Sequence, residues 1–172
     1  MRYVMAFLMM LLVPPVPAES GSSVEIGTSL GMTFESDGNL SVSIGVPSGA
    51  FAGLGTMYMT VFAGQHWMIE PQVLLNYNTS ADEALFSGML QLGYLVDPAA
   101  SSSAYFAAHA GYFHLPTSYD QGTAAFGVAG GLRNKILGGV AAVRGEVRFR
   151  SYTDNAYDLR ELSLLLSLGI VL

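Results

Sequence analysis

The sequence predicts an all-β protein: an eight-stranded antiparallel up-and-down β-barrel that crosses a membrane. Two strand-length segments near the C-terminus alternate polar with apolar residues, and the mean hydropathy of the chain is +0.42. No run of about 20 apolar residues, the length a spanning helix needs, follows the N-terminal region. Because successive side chains of a strand point to opposite faces, each alternating segment has one polar and one apolar face. An apolar exterior around a polar interior is typical of membrane-spanning strands.

Residues 1–18 have the organisation of a cleaved signal peptide. Arg2 is a short basic region, residues 3–13 are apolar, and Ala18 ends a stretch of small residues that a signal peptidase could read. The apolar run is short for a transmembrane helix, so we expect cleavage after Ala18, with a retained anchor as the alternative. The predicted organisation is therefore a signal peptide, 1–18, and one barrel domain, 19–172.

The composition excludes several classes of function. With no Cys, the chain has no disulfide framework, no zinc–thiolate site and no thiol nucleophile. A net charge of −6 argues against nucleic acid as a partner. No phosphate-binding loop, HExxH or EF-hand pattern is present. We therefore expect no cofactor, no metal site and no catalytic residue.

Turn signals divide the chain at a regular spacing. The predicted strands cover residues 24–34, 54–63, 67–77, 85–96, 104–114, 123–132, 143–150 and 161–172. The first alternates Val24, Ile26 and Leu30 with Glu25, whereas the second alternates weakly because both faces are apolar or small. We expect 35–53 to form one long loop and leave open an extra hairpin over 38–48.

The connections alternate in length, which supports an even number of strands. The expected loops on one side are 35–53, 78–84, 115–122 and 153–158; the expected turns on the other lie near 65, over 98–103 and over 134–138, the last led by Arg133, Asn134 and Lys135. Short turns opposite longer loops are typical of transmembrane β-barrels. Aromatic residues near the strand ends predict interface girdles: Tyr77, Tyr112 and Tyr152 at the loop ends, Trp67 and Tyr94 at the turn ends.

Charged residues on the predicted inner face are the strongest local chemistry. We expect a structural ionic network of Glu25, Glu70, Glu146, Glu161, Arg133, Arg144, Arg148 and Arg150. The interior of an eight-stranded barrel is just wide enough for side chains, and buried charges need partners. A loop centred near residues 155–156 would place Arg148 or Arg150 across from Glu161. A gated path for small ions through this network is the alternative.

Histidine and acidic residues give weaker signals. His109 faces inward by parity and is expected to be hydrogen-bonded, with a titrating switch as the alternative. His114, Ser118 and Asp120 suggest a hydrolase, but Pro116 lies between the His and the Ser. The loop side is acidic, through Glu35, Asp37, Asp82, Glu83, Asp120, Asp154 and Asp158. These carboxylates are expected to be solvated; divalent cations bridging them to anionic lipid or a partner remain open.

A family resemblance lies in three segments: 126–133 (FGVAGGLR), 143–149 (VRGEVRF) and 161–169 (ELSLLLSLG). Through them the chain resembles the small eight-stranded outer-membrane β-barrels, the group that includes the OmpA transmembrane domain and OmpX-like proteins. The resemblance implies the outer membrane of a diderm bacterium, outer-membrane lipid and lipopolysaccharide as surroundings, folding by the barrel assembly machinery and a monomeric state. Barrels of this group usually end on an aromatic residue, whereas this chain ends on Leu172. The lipid A deacylases among such barrels have a His and Ser two apart followed by Asn, which residues 114–118 do not match.

The expected function is a non-enzymatic membrane barrel with a structural or surface-interaction role. One rival is a secreted, soluble, lipocalin-like barrel that binds a small ligand. That fold would need apolar residues inside and polar residues outside, the reverse of the C-terminal strands. The other rival is an outer-membrane lipid-modifying enzyme, which would need a Ser–His pair near the lipid leaflet.

Overall fold

The structure, a computed structural model, describes residues 23–36, 40–44, 56–78, 83–114, 122–153 and 160–172. The predicted signal peptide lies outside these residues. The strands are β1 Val24–Ser36, β2 Leu40–Ile44, β3 Thr56–Ala63, β4 Trp67–Asn78, β5 Glu83–Leu95, β6 Ser102–His114, β7 Gly122–Ile136, β8 Ala141–Tyr152 and β9 Arg160–Val171. In this part of the chain, no helix has the length and apolar character needed to cross a membrane.

The strands form one closed antiparallel sheet. From β3 onward each strand pairs with the next in the chain, and β1 pairs with β9 from Glu25↔Val171 to Ser36↔Arg160. β2 and β3 both pair with the other edge of β1, so together they occupy one position in the wall. The wall therefore has eight positions. The predicted eight-stranded barrel is confirmed.

The long loop expected over 35–53 is partly wrong. Its residues Leu40–Ile44 form β2, which pairs with the C-terminal part of β1 from Met32↔Ile44 to Ser36↔Leu40. The alternation of Leu40, Val42 and Ile44 is a strand pattern, and an adjacent free edge of β1 gives it a partner. Residues 40–44 therefore do form a strand, but its partner is β1 and not a second strand within 38–48; residues 37–39 and 45–53 lie outside the described part.

The turn predicted at Arg133, Asn134 and Lys135 is also wrong. β7 continues to Ile136, where it pairs with Ala141, and the chain reverses over Leu137–Val140. Gly138 and Gly139 have φ angles of 69° and 94°, a region that glycine enters without a steric penalty. The Gly-Gly pair therefore sets the turn, and the three polar residues stay in the strand.

The alternation of the strands sorts polar from apolar side chains as predicted. On β9, Glu161, Ser163 and Ser167 are buried, whereas Leu162, Leu164, Leu166, Leu168 and Ile170 are 40–61% exposed on the outside. The same outward apolar face continues on the other strands, with Phe106, Phe126, Val128, Leu132 and Val147 all at least half exposed. The barrel is thus apolar outside.

The lumen is not polar throughout. At the turn end, Phe62, Met68, Leu95 and Tyr105 form a buried apolar cluster. The weak alternation of β3 conceals this, because Phe62 faces inward while Met57, on the same strand, is 62% exposed. An apolar plug therefore closes the turn end of the lumen.

The aromatic girdle is confirmed in part. Trp67 and Tyr94 are exposed at the turn end and form an edge-to-face pair with ring centroids 5.4 Å apart. Tyr112 is exposed towards the loop end. The assignment of Tyr152 to the girdle is wrong. Tyr152 shares the inward parity of Arg150, and Arg150 donates a hydrogen bond to the Tyr152 hydroxyl. The side chain of Tyr77 lies outside the described part.

Candidate functional site: the interior ionic network

Five strands bring the predicted charged residues into the lumen. Glu25 comes from β1, Glu70 from β4 and Arg133 from β7. β9 contributes Glu161, and β8 contributes every second residue from 144 to 150: Arg144, Glu146, Arg148 and Arg150. Because a strand repeats every two residues, alternation alone is sufficient to line these side chains along the lumen. The structure brings all eight into ion pairs.

Glu25 is the turn-side centre of the network and is fully buried. Its carboxylate accepts a hydrogen bond from Arg133 Nε at 2.8 Å and another from the Tyr58 hydroxyl at 2.9 Å. Arg144 Nε lies 3.1 Å from the same carboxylate. The two guanidinium groups also cover aromatic rings, Arg133 over Phe62 and Arg144 over Tyr58. Such contacts offset part of the cost of removing these cations from water.

Glu70 links the turn-side centre to the middle of the lumen. Arg144 Nη1 donates to its Oε2 at 2.6 Å, and the Thr60 hydroxyl donates to the same oxygen. Gln72 Nε2 donates to its other oxygen at 2.6 Å. Arg144 thus bridges Glu70 and Glu25, which belong to strands separated in the wall by β3.

The middle of the lumen centres on Glu146 and Arg148. Arg148 Nη2 lies 2.6 Å from Glu146 Oε1, and Glu146 Oε2 accepts hydrogen bonds from Tyr105 and Gln91. Arg148 also donates to Gln72 Oε1 at 3.0 Å and to Gln91 Oε1 at 3.3 Å. Gln72 thereby joins the middle and turn-side groups into one continuous network.

Nearer the loops, Arg150 pairs with Glu161. Arg150 Nη1 donates to Glu161 Oε2 at 2.9 Å, and the two residues are direct cross-strand partners of β8 and β9. Of the two partners that the sequence leaves open for Glu161, the structure selects Arg150, because the register sets Arg148 opposite Ser163. Among the described residues, the four carboxylates and four guanidinium groups of this network balance in charge.

His109 faces inward as predicted and is 4% exposed. The predicted hydrogen bond is wrong: neither Nδ1 nor Nε2 has a hydrogen-bond partner among the described residues. His109 lies between Gln91 and Gly127 in the register, but the Gln91 side chain is used by Glu146 and Arg148 and Gly127 has no side chain. The network therefore leaves the imidazole out.

Reasoning from charge misses the neutral members of the network, among them Tyr58, Thr60 and Tyr105. Tyr105 has the same parity as His109, so its inward direction is available from the sequence. The direction of Tyr58 and Thr60 on β3 is not available from the sequence, because the weak alternation of that strand does not show which face is inward. The partner sequence on β4, with Glu70 and Gln72 inward, could have assigned it.

The sites proposed for catalysis and cations fall largely outside the described side chains. This applies to His114, Ser118 and Asp120 and to the acidic loop residues. Among the side chains that are described, no group of three His, Asp or Glu residues could hold a metal ion. The described lumenal carboxylates have guanidinium groups as their counter-ions.

Comparison with solved structures gives the same fold. Neisserial surface protein A is 15% identical, with a TM-score of 0.60 over 88% of this chain and 97% of that chain. The outer membrane protein AlkL, solved in lipid bilayers, is 17% identical, with a TM-score of 0.50 over 91% of this chain and 94% of that chain. Comparisons with protein-family models and with curated proteins found no match. The chain thus has the fold of the small eight-stranded outer-membrane β-barrels.

Proposed function

We propose that this protein is a non-enzymatic integral outer-membrane barrel with a structural or surface-interaction role, whose lumen is filled by its own ion-paired side chains. The observation that carries the proposal is the distribution of polarity: apolar side chains cover the outside and charged side chains occupy the inside. Lipid is the solvent that suits this arrangement, since in lipid a closed barrel satisfies every backbone polar group without an exposed edge.

The outer surface argues against the soluble rival. A soluble monomer rarely exposes a contiguous apolar patch larger than about 600 Å². Here apolar residues are exposed around the barrel, from Ile26 on β1 through Leu92 on β5 to Leu166 on β9. A lipocalin-like ligand site would also need an apolar cavity where Glu25, Glu70 and Arg144 are buried. These observations favour a membrane location over a secreted carrier.

The lumenal hydrogen bonds support a non-enzymatic role. Glu70 and Glu146 are each held by an arginine and by at least two further side-chain donors. A general acid or base must exchange a proton with substrate within hydrogen-bond reach. Carboxylates already engaged by fixed guanidinium groups in a filled lumen are poorly suited to that chemistry.

Export and surroundings complete the proposal. Residues 1–18 would direct secretion and be removed after Ala18. The barrel assembly machinery would then insert the 19–172 domain as a monomer among phospholipid and lipopolysaccharide. We place the turns at 64–66, 96–101 and 137–140 in the periplasm and the connections at the other end of the barrel outside, as is usual for such barrels.

Membrane fractionation combined with gel migration before and after boiling tests this proposal. The protein should sediment with outer membranes, carry Glu19 as its first residue, and migrate differently when boiled, because a folded barrel resists the detergent. The Glu25→Gln variant, which removes the centre of the turn-side network, should lose the folded band at a lower temperature. Recovery of the chain as a soluble periplasmic or secreted protein would contradict the proposal.

A further inference from the structure

A cavity of about 560 Å³ opens at the turn end of the barrel, beyond the apolar cluster. We call it the turn-side vestibule. Phe62 and Leu95 contribute apolar wall, two turns contribute Gly64, Gly138 and Gly139, and the cationic residues are Arg133 and Lys135. The ionic network that fills the rest of the lumen leaves this space open.

Arg133 reaches the vestibule with unused donors. Its side chain is 4% exposed, its Nε donates to Glu25, and its guanidinium lies 4.8 Å from the centre of the Phe62 ring. Within the described part of the chain, its two Nη atoms make no hydrogen bond. A guanidinium has five N–H donors, of which four are on the Nη atoms. The Arg133 guanidinium thus has four N–H donors that make no hydrogen bond to the described residues and that lie beside an open cavity.

Lys135 adds a second cation two residues further along β7. Its Nζ donates to the carbonyl oxygen of Pro98 at 2.7 Å, which uses one of its three donors. Among the described residues that line the vestibule there is no Asp or Glu. Two carboxylates at this end of the barrel have other partners: Glu25 is shared between Arg133 and Arg144, and Asp97 accepts hydrogen bonds from the backbone of its own turn. Among the described residues Lys135 therefore has no carboxylate partner, while Arg133 is paired with Glu25 through its Nε alone.

We propose that the turn-side vestibule binds a compact oxyanion, a phosphate or carboxylate group, between the Nη atoms of Arg133 and the Nζ of Lys135. The planar guanidinium matches the two oxygens of such a group, and charge-assisted hydrogen bonds are the strong ones. The Arg133 Nη atoms and the Lys135 Nζ face the open cavity, so an anion there would give them charged acceptors. The group could belong to a free solute or to the phosphate of a lipid headgroup, and the chemistry of recognition is the same.

Titration with inorganic phosphate tests the site. The full mature chain, refolded in maltoside micelles that contain no phosphate, would be followed through the backbone amide shifts of Lys135, Gly138 and Gly139. The expected result is a saturable shift at these three amides, with the rest of the spectrum unchanged. Because the same spectrum reports that the barrel is folded, failure of the site is distinguishable from failure of the membrane-barrel proposal.

Matched variants assign the binding to the two cations. Lys135→Gln and Arg133→Lys should each weaken phosphate affinity by about tenfold or more, as expected for a lost charged hydrogen bond. Lys135→Gln is the safer variant, because Arg133 also pairs with Glu25. Arg160→Gln, which removes an exposed cation at the opposite end of the barrel, should leave the affinity unchanged.

Phospholipid nanodiscs without added phosphate distinguish the two sources. If the Lys135 amide already has its phosphate-saturated shift there, the headgroup is the occupant; if it has the phosphate-free shift and then titrates, the occupant is a free solute. Both results support the oxyanion site. No saturable shift in micelles, or equal weakening by Arg160→Gln, would overturn it.

Discussion

At the scale of single residues, this barrel keeps charges in its interior by giving each one several partners. Arg144, 2% exposed, contacts two carboxylates, a threonine hydroxyl and an aromatic ring. Removing one partner of a buried ion pair leaves an uncompensated charge and costs about 3–5 kcal/mol. We therefore expect the loss of any one member of the network to destabilise the barrel.

A double-mutant cycle can test whether Glu161 pairs with Arg150 and not with Arg148. Glu161→Gln should lower the free energy of unfolding by about 1.5–3 kcal/mol, the range for hydrogen bonds to charged groups. Combined with Arg150→Gln, it should show coupling of about 1 kcal/mol or more, whereas combined with Arg148→Gln it should be additive within about 0.5 kcal/mol. Urea unfolding in lipid or detergent measures both. Stronger coupling to Arg148 would mean that the register of β8 and β9 is different.

His109 should respond in the opposite direction from the charged residues. Because its ring nitrogens have no partner among the described residues, His109→Leu removes unsatisfied polar atoms that are each unfavourable by about 1–3 kcal/mol. We expect the free energy of unfolding to stay the same or to rise. A decrease of about 1.5 kcal/mol or more would indicate that the imidazole is hydrogen-bonded, for example through a buried water.

Single-residue placement could be predicted wherever parity is unambiguous, as it is for Glu146, Arg148 and His109. Pairing could not, because it depends on contacts across the lumen between strands far apart in sequence. The bridge from Arg144 on β8 to Glu70 on β4 is an example. No alternation pattern contains that information.

At the scale of elements, close strand packing depends on where glycine stands. The Cβ of an alanine at Gly127 would collide with the Phe149 carbonyl and lie 2.7 Å from His109 Nε2. At Gly145, on the neighbouring strand β8, the same atom would have no neighbour within 4 Å. One glycine is required by packing and the other is not.

This contrast predicts opposite outcomes for the same substitution. Gly127→Ala should destabilise the barrel by about 1–3 kcal/mol through overpacking. Gly145→Ala should be neutral or stabilising, because glycine in a strand is unfavourable by about 0.5–1 kcal/mol relative to alanine. Thermal or urea unfolding of both variants in one detergent measures the difference. Equal destabilisation would contradict the assigned facing of β7 and β8.

The ends of the elements were harder to predict than their faces. Polar residues usually mark turns, which is why 133–135 resembled one, yet the Gly-Gly pair that follows determines the reversal. The sequence leaves β2 open as an extra hairpin within a loop, because Pro47 and the glycines after it suggest a loop, while the partner that stabilises the strand, the edge of β1, is a tertiary feature. The local sequence thus predicts which face of a strand a side chain occupies, whereas the length of a strand also depends on its neighbouring strands.

At the scale of the whole molecule, the filled lumen should exclude a wide pore. The apolar cluster at the turn end and the ionic network above it occupy the interior of the described barrel. Planar-bilayer recordings at neutral pH should therefore show no large, long-lived openings. Replacing Met68 and Tyr105 by Ala should increase conductance, whereas Leu90→Ala on the outer face should not. Stable large openings of the wild-type protein would contradict the filled lumen.

The class of fold was predictable because membrane strands impose a period of two on a whole sequence. The C-terminal segment shows this best: six apolar residues at even positions from Leu162 to Leu172 alternate with Glu161, Ser163, Ser167 and Gly169, with Leu165 and Val171 as the apolar exceptions. A partner or ligand leaves no such periodic trace. The oxyanion site, for example, depends on two cations and on a cavity whose shape only the folded chain defines.

The central claim is that even-numbered residues of β9 face lipid and odd-numbered residues face the lumen. The chain has no Cys, so single cysteines at each position from 161 to 172 can carry a spin label without background. Accessibility to oxygen, which is concentrated in lipid, should oscillate with a period of two in bilayers and peak at Leu164, Leu166 and Leu168. A flat profile, or maxima at Ser163 and Ser167, would contradict the account.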